Sequence, residues 1–403
     1  MFLDSKVKEI VKRILDYSDS YKALSSKVSI SNGKINVEGY SFITQKPLLV
    51  SVGKSALKMA KFFLDKMKIE NGIVITPKGH TNVKLPLEVL ESSHPDITES
   101  SYEAGKKVIN LLFKEDYDLL IFLISGGASA LMEYSDISLN YLKEINNALV
   151  TSGLSIEEIN IVRKHLSLIK GGWLAQYSKS PILTLVVSDV PGGDLSSVGS
   201  GPTILDFSTK EEAERIMKDI GLEKYMGFLK ETPKTLKVKS YTFKILDIET
   251  VLTRLKSDIE NSEILSSEVR GDAYLFGVQL AGIANTQFRV SNGRKVLLLG
   301  GEPDVKITGK HGKGGRNGEI CLGFLKYIKA NARLYAIATD GIDGNSEYAG
   351  CYVDNELKIN SVDIHNALIN HTSYELLEKY GVTIKTGFTG NNVNNVYILD
   401  IGD

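Results

Sequence analysis

The sequence predicts an α/β fold in two domains, the first built on a largely parallel sheet with helices on both faces. Three observations lead there. Short apolar runs alternate with amphipathic helical patterns through the first half of the chain. Those runs are continuous rather than alternating, which implies strands buried on both faces. At 403 residues the chain also exceeds what one hydrophobic core comfortably serves.

Taken in order, Pro47–Val52 reads as a buried strand, followed by a helix through Ala56, Leu57, Met59, Ala60, Phe63 and Leu64. Gly72–Thr76 is a second strand and Leu87–Leu90 a third. Val108, Ile109, Leu111 and Leu112 lie on a helix that feeds the strand Leu119–Ile124, and Ile182–Val187 is another unbroken β-run. Leu222–Lys239 loses strand character and carries Pro233, which sets the expected domains at 1–235 and 236–403. Beyond it, a helical stretch from Gly271 to Ala284 precedes Lys295–Leu299, the expected first core strand of the second domain, with Leu334–Ala338 as its partner.

Lys plus Arg (48) and Asp plus Glu (49) nearly cancel, so no global field attracts nucleic acid or membrane, and neither is expected as a partner. Charges at Asp4, Lys6, Lys8 and Glu9 rule out a secretory apolar region there, and no uncharged apolar run approaches 18 residues. Cys321 and Cys351 are too few for a disulfide framework and lack metal-ligand spacing, so a reduced cytoplasm is expected. Gln45, Gln176, Gln279 and Gln287 are the only glutamines among abundant Lys, Glu, Ile and Tyr, a composition that leans toward a thermophile.

With no global field, an anionic ligand must be gripped by local donors, and the loops after the strands supply them. Glycine lets backbone N–H groups approach an anion, and a helix beginning just beyond adds its positive end. Ser125, Gly126, Gly127, Ala128 and Ser129 suit this work, the alternative being a tight strand-to-helix turn. Gly53-Lys54-Ser55 resembles the end of a P-loop, but Leu48 stands where that motif needs glycine. A P-loop is therefore rejected, although Lys54 still sits where an ammonium can neutralise phosphate or clamp a carboxylate. Its alternative is an exposed capping lysine.

Ser188-Asp189-Val190-Pro191-Gly192-Gly193-Asp194 places two carboxylates on one strand-end loop, suited to Mg²⁺ or to ordinary turn formation. Gly199-Ser200-Gly201-Pro202-Thr203 is a second donor-rich turn. Arg163, Lys164, His165 and Lys170 put basic groups on one helix and its glycine end, where Arg163 and Ser167 share a face that is either solvated or substrate-facing, and His165 is read as structural. Gly300-Gly301-Glu302 and the run from Gly312 to Glu319 give the densest anion-loop signal. There Arg316 opens a helix beside Gly315 and Asn317 and can grip carboxylate or phosphate with two hydrogen bonds. Asp340 and Asp343 in Thr339–Gly344 are candidates for metal or ribose, and Thr389, Gly390, Asn391 and Asn392 form a last small-residue loop.

These motifs, in this order, resemble the glycerate 2-kinase family, whose C-terminal domain is the MOFRL domain. The matching segments are Gly53-Lys54, Gly79-His80, Ser93-His94-Pro95, Ser125–Ser129, Val162–Ser167, Ser188–Gly192, Gly199–Thr203, Gly301-Glu302, Gly315-Arg316-Asn317, Asp340–Gly344 and Thr389–Val393. The resemblance implies a Rossmann-like three-layer N-terminal domain with a parallel sheet, a smaller mixed α/β C-terminal domain, and a site in the cleft between them. It implies transfer of a phosphoryl group from ATP to the 2-hydroxyl of D-glycerate with Mg²⁺ or another divalent cation; a homodimer is left open.

Carried over by motif, Lys54 and Arg316 are the catalytic cations and also bind substrate. Beyond the carry-over, Asp189 is the preferred candidate to hold metal or accept the hydroxyl proton, with Asp194 and Asp340 as further metal candidates, and Arg163 and Lys170 are expected to orient the glycerate carboxylate. The nucleotide falls to Ser125–Ser129, Gly192, Gly193, Gly199, Ser200, Gly201, Thr203, Gly315, Asn317, Thr389, Gly390 and Asn392. The chain departs from the family where Asn-Gly-Glu follows Arg316 in place of Asn-Gln-Glu, and at Phe388 and Asn391, where the family has Pro and Thr. A hydroxypyruvate reductase is the rival enzyme, but no strand end carries the Gly-x-Gly-x-x-Gly nicotinamide fingerprint. A non-catalytic sensor of nucleotide and organic acid is the other alternative.

Overall fold

The structure is a computed structural model that describes residues 5–79, 84–190, 192–291, 293–307, 309 and 311–402. His80 and Pro191, both within the motifs above, lie outside the described residues. The chain divides into two compact units, one running from Ser20 to Ile245 and the other combining the segment up to Asp19 with the chain from Leu246 onward.

The Ser20–Ile245 unit opens with a small antiparallel sheet of β1 (Val28–Ser31), β2 (Lys34–Val37) and β3 (Tyr40–Ile43). Its main sheet contains β4 (Pro47–Val52), β5 (Asn71–Pro77), β6 (Glu88–Ser92), β7 (Leu119–Ser125), β8 (Ile182–Val187) and β9 (Ser240–Leu246). The strand order is β6-β5-β4-β7-β8-β9, or 3-2-1-4-5-6 counted from β4, which is the Rossmann order. The pairings from β6 through β8 are all parallel. Every residue of β4, β7 and β8 is buried, as their unbroken apolar character requires. Helices Ala56–Lys66 and Glu99–Lys114 cross between strands; a reciprocal capping box of Thr98 and Ser101 starts the second.

The other unit holds a mixed sheet of β10 (Ser262–Val269), β11 (Lys295–Gly301), β12 (Ala332–Ala338), β13 (Gly350–Asp354), β14 (Thr383–Ile384) and β15 (Asn395–Ile401), in the order β10-β11-β15-β12-β13-β14. Only β10 and β11 pair in parallel; the rest are antiparallel. Leu297 and Leu334 do not face each other directly, because each pairs with Leu399 of β15. The partnership expected between Lys295–Leu299 and Leu334–Ala338 is therefore corrected: the fully buried C-terminal strand lies between them. Helices Ala273–Val290 and Arg316–Tyr327 cover this sheet. They touch backbone to backbone, since a Cβ on Gly277 would sit 2.1 Å from Ile320 O.

Two further expectations change. The boundary at 235/236 differs from the units found, since β9 is an edge strand of the first sheet and Lys239 O accepts from Ile182 N at 2.9 Å. Helix Ser5–Tyr17 buries Val7, Val11 and Ile14 in the other unit, and Asn391 Nδ2 there donates to Leu15 O. The strand-poor stretch around Pro233 is a packed excursion with Leu229 and Thr232 buried, not a linker. The cysteines, read as reduced thiols, are joined as Cys321–Cys351. A separation of 30 residues carries no pairing signal; packing of helix Arg316–Tyr327 near β13 creates the pair.

Candidate functional site

In the Ser20–Ile245 unit the strand order reverses between β4 and β7, and the crevice outside the carboxyl ends of strands at such a point is where this topology binds ligands. The loops there are stitched together. Gly53 N donates to Ile75 O at 3.1 Å, Lys54 N to Gly126 O at 2.9 Å, and Ser55 N to Ser125 Oγ at 3.0 Å. Gly53 has φ +125° and a Cβ there would lie 2.1 Å from Ser125 Oγ, so no other residue allows the two loops to approach so closely. Gly127 is left-handed before the short helix Ala128–Leu131, and its face meets the His94 ring and Lys54 Cγ, which a Cβ would approach to 3.0 and 3.5 Å. Four residues give that helix little dipole, so the donors at Ser125–Ser129 are individual amides and hydroxyls.

The neighbouring turn is held from within. Gly199, Ser200 and Gly201 all have positive φ. Ser200 Oγ lies 3.3 Å from Ser129 Oγ and donates to Asn160 Oδ1 at 3.1 Å. The Thr203 hydroxyl bonds with that of buried Thr184 at 2.8 Å, and Gly199 sits against Ile124 and Ala128, so these two serve the turn's shape. Asp189 is half-buried beside Ser188 at the end of β8. Gly192 and Gly193 follow with φ +82° and +75°. Asp194 is engaged by Ser196 N, Ser196 Oγ and Ser197 Oγ at 2.9, 2.9 and 2.6 Å. Partial burial pushes its carboxyl up, but those hydrogen bonds outweigh it and hold it below its ordinary value.

The basic helix face is not solvated. Arg163 Nε donates to Asn146 Oδ1 at 2.9 Å, and burial lowers its pKa against the field of Glu133. Lys164 pairs with Asp206 at 3.2 Å. Lys170 is 1% exposed and ion-paired with Glu133, itself 3% exposed; Ser167 Oγ donates to the same carboxylate at 2.5 Å. The ammonium read as a substrate contact is thus neutralised inside the core. Glu133 gives no sequence signal, because its partner is 37 residues away.

In the other unit, β11 and β12 run the same way, and both Gly301 and Ala338 pair with Asn395. Gly301-Glu302, Thr339-Asp340 and the residues before β15 therefore gather at one sheet end. Arg316 begins helix Arg316–Tyr327 and pairs with Glu302. Burial opposes its charge, but Glu302 and Asp343 more than restore it. Asp343 is 1% exposed and its Oδ2 accepts from Asn317 N (2.8 Å), Gly318 N (3.3 Å) and Tyr374 OH (2.6 Å). It is thus closed off from the metal or ribose role first considered for it. Gly315 has no room for a side chain, as a Cβ would lie 2.4 Å from that oxygen.

Asn317 is wholly buried, donating to Asn395 Oδ1 at 3.0 Å and Ala349 O at 3.3 Å, so it ties helix to sheet. Thr389 Oγ1 donates to Thr339 O at 2.6 Å, and Asp340 Oδ1 accepts from Ile342 N at 3.2 Å. Gly390 is left-handed and Asn392 is buried next to it. Glu302 was visible within a quoted motif; Tyr374 was not, since nothing local distinguishes it. No group of three or more His, Cys, Asp or Glu able to hold a metal occurs among the described residues.

A family model described as a domain of unknown function (DUF4147) matches residues 6–229, and the MOFRL family model matches residues 295–395. A glycerate 2-kinase from Sulfurisphaera tokodaii is 58% identical over 402 residues, covering 98% of this chain and 99% of its own. A relative from Agrobacterium vitis, given the provisional name of hydroxypyruvate reductase, is 32% identical and covers 99% of this chain and 95% of its own. Among solved structures, a glycerate kinase from Thermotoga maritima superimposes with a TM-score of 0.82 at 30% identity, covering 98% of each chain.

Proposed function

This chain belongs to the glycerate 2-kinase family, and on that premise we propose that it moves the γ-phosphoryl of ATP to the 2-hydroxyl of D-glycerate. That it is a kinase acting on glycerate follows from full-length identity of 58% to a glycerate 2-kinase. The observation that carries the finer reading is the stitched pair of loops at the β4/β7 switch point, with Lys54 between Gly53 and the Gly126-Gly127 turn.

In the proposed reaction the glycerate hydroxyl oxygen bonds to the γ-phosphorus while the β–γ bridging bond breaks and ADP leaves with its electron pair. Little covalent work falls to the protein, so positioning and charge neutralisation dominate. Lys54 and Arg316 supply positive charge, Arg316 standing at a helix start with Glu302 to orient it. The amides and hydroxyls of Ser125–Ser129 are suited to phosphate oxygens. Asp189 accepts the hydroxyl proton or holds the metal.

The donor set fits Mg²⁺: a strand-end carboxylate, with no cage of three or more His, Cys, Asp or Glu among the described residues, suits an ion that keeps waters and phosphate oxygens as its other ligands. When bound, Mg²⁺ neutralises phosphate charge. Asp194 is less suited, because both its oxygens already accept hydrogen bonds. No helix is long and apolar enough to cross a membrane among the described residues.

Incubation with ATP, Mg²⁺ and D-glycerate, followed by enolase alone, tests the reading. Enolase dehydrates 2-phosphoglycerate directly, so phosphoenolpyruvate should appear without added mutase. If it appears only when mutase is added, the product is the 3-phosphate and the positional assignment is wrong. Consumption of NAD(P)H with hydroxypyruvate would favour the reductase instead.

A further inference from the structure

We propose that Asp343 is a positioning residue for this reaction: its buried carboxylate clamps the first turn of helix Arg316–Tyr327 and thereby holds the Arg316 guanidinium in its working orientation. The inference rests on the reading of Arg316 as a catalytic cation. An ordinary helix cap is a short side chain at the residue before the first turn. Here that residue is Gly315, which has none, and the cap comes from Asp343, 26 residues beyond Asn317, on the loop after β12.

The geometry is specific. One oxygen, Oδ2, accepts the amides of Asn317 and Gly318 and the Tyr374 hydroxyl. The other, Oδ1, is buried without a hydrogen-bond partner among the described residues. A neutral asparagine oxygen can also accept hydrogen bonds from amides, though more weakly, whereas a buried carboxylate with one unsatisfied oxygen is costly. A nearby positive charge offsets that cost, and the field of Arg316 acts on Asp343 as that of Asp343 acts on Arg316. The charge of the clamp is therefore coupled to the cation it positions.

The groups around Asp343 come from several elements. Arg316 and the Asn317 and Gly318 amides belong to the helix, and Tyr374 to helix Ser373–Lys379. Tyr397 of β15 feels Asp343, Arg316 and Glu302 together. Burial pushes the Asp343 carboxyl up to about 6, with Tyr374, Arg316 and the two amides pulling the other way. Below that pH the clamp protonates and loses its charge. The Tyr374 hydrogen bond favours the ionised form, so removing it raises the titration further.

The test is the pH profile of kcat and KM for the wild type, Asp343→Asn and Tyr374→Phe, with Arg316→Ala as control. The wild type should show an acid limb in kcat with its midpoint near 6. Asp343→Asn should lower kcat by about 10- to 100-fold at neutral pH, leave KM for D-glycerate within about 2-fold, and abolish that limb. Tyr374→Phe should keep the limb and move its midpoint upward, and it decides the matter alone if Asp343→Asn does not fold. An acid limb unchanged in Asp343→Asn, or unmoved in Tyr374→Phe, overturns the proposal while Arg316→Ala stays impaired. If Arg316→Ala keeps wild-type kcat, the assignment of Arg316 itself fails, and the clamp's role with it.

Discussion

Replacing Lys170 by methionine separates a core ion pair from a substrate contact. The Lys170 side chain is 1% exposed and that of Glu133 3%, so the substitution leaves a carboxylate buried without its counter-charge. Breaking a buried pair from one side costs about 3–5 kcal/mol. Ser167 Oγ at 2.5 Å and Tyr134 N at 2.9 Å still serve Glu133 Oε1, and the field of Arg163 reaches it, which places the expected loss near about 3 kcal/mol. Removing the charge on both sides, with Lys170→Met and Glu133→Gln together, should recover most of it and fall within about 1.5 kcal/mol of wild type. The double variant should therefore be about 1.5–3 kcal/mol more stable than Lys170→Met alone. Urea unfolding followed by fluorescence reads this directly, because the single tryptophan, Trp173, stands three residues beyond Lys170. KM for D-glycerate in the double variant should stay close to wild type. A Lys170→Met protein with wild-type stability and a sharply raised KM would refute the reasoning and restore the lysine as a carboxylate ligand.

Lys54→Ala and Arg316→Ala should each lower kcat/KM by about 100- to 1,000-fold with the fold intact by circular dichroism; losses of only a few fold would remove them from the chemistry. Gly53→Ala should destabilise the chain by about 2–4 kcal/mol in thermal unfolding, since its φ of +125° and the 2.1 Å approach to Ser125 Oγ both oppose a Cβ. Cys321→Ala with Cys351→Ala, or a strong reductant, should cost about 3–4 kcal/mol for a 30-residue loop, and a thiol titration of the unfolded native chain should find no free cysteine. Because burial raises the Asp343 carboxyl from 3.8 to about 6, the folded chain binds a proton between those values that the unfolded chain does not. This group alone therefore lowers stability as pH rises through that window, and Asp343→Asn should flatten that part of a stability profile.

The sequence by itself determined β4 to β8 of the parallel sheet but not its edge strand β9, because a strand buried on both faces must be continuously apolar, and β4, β7 and β8 are. It also marked the loops carrying Lys54, Asp189 and Arg316, since glycine is required wherever a neighbour approaches too closely for a Cβ, as at Gly53 and Gly315. What it left open depends on partners distant in the chain. The buried strand β15 separates two strands that local pattern alone made neighbours, helix Ser5–Tyr17 packs with residues nearly 400 positions later, and Cys321 meets Cys351 only through packing. Lys170 and Arg163 looked alike as cations on a basic stretch, yet tertiary structure buried one fully against Glu133 and half-buried the other beside Asn146. Spacing along a chain fixes which residues share a face. Whether a charge on that face meets water, a ligand or a buried counter-charge is decided by what the rest of the fold brings to it.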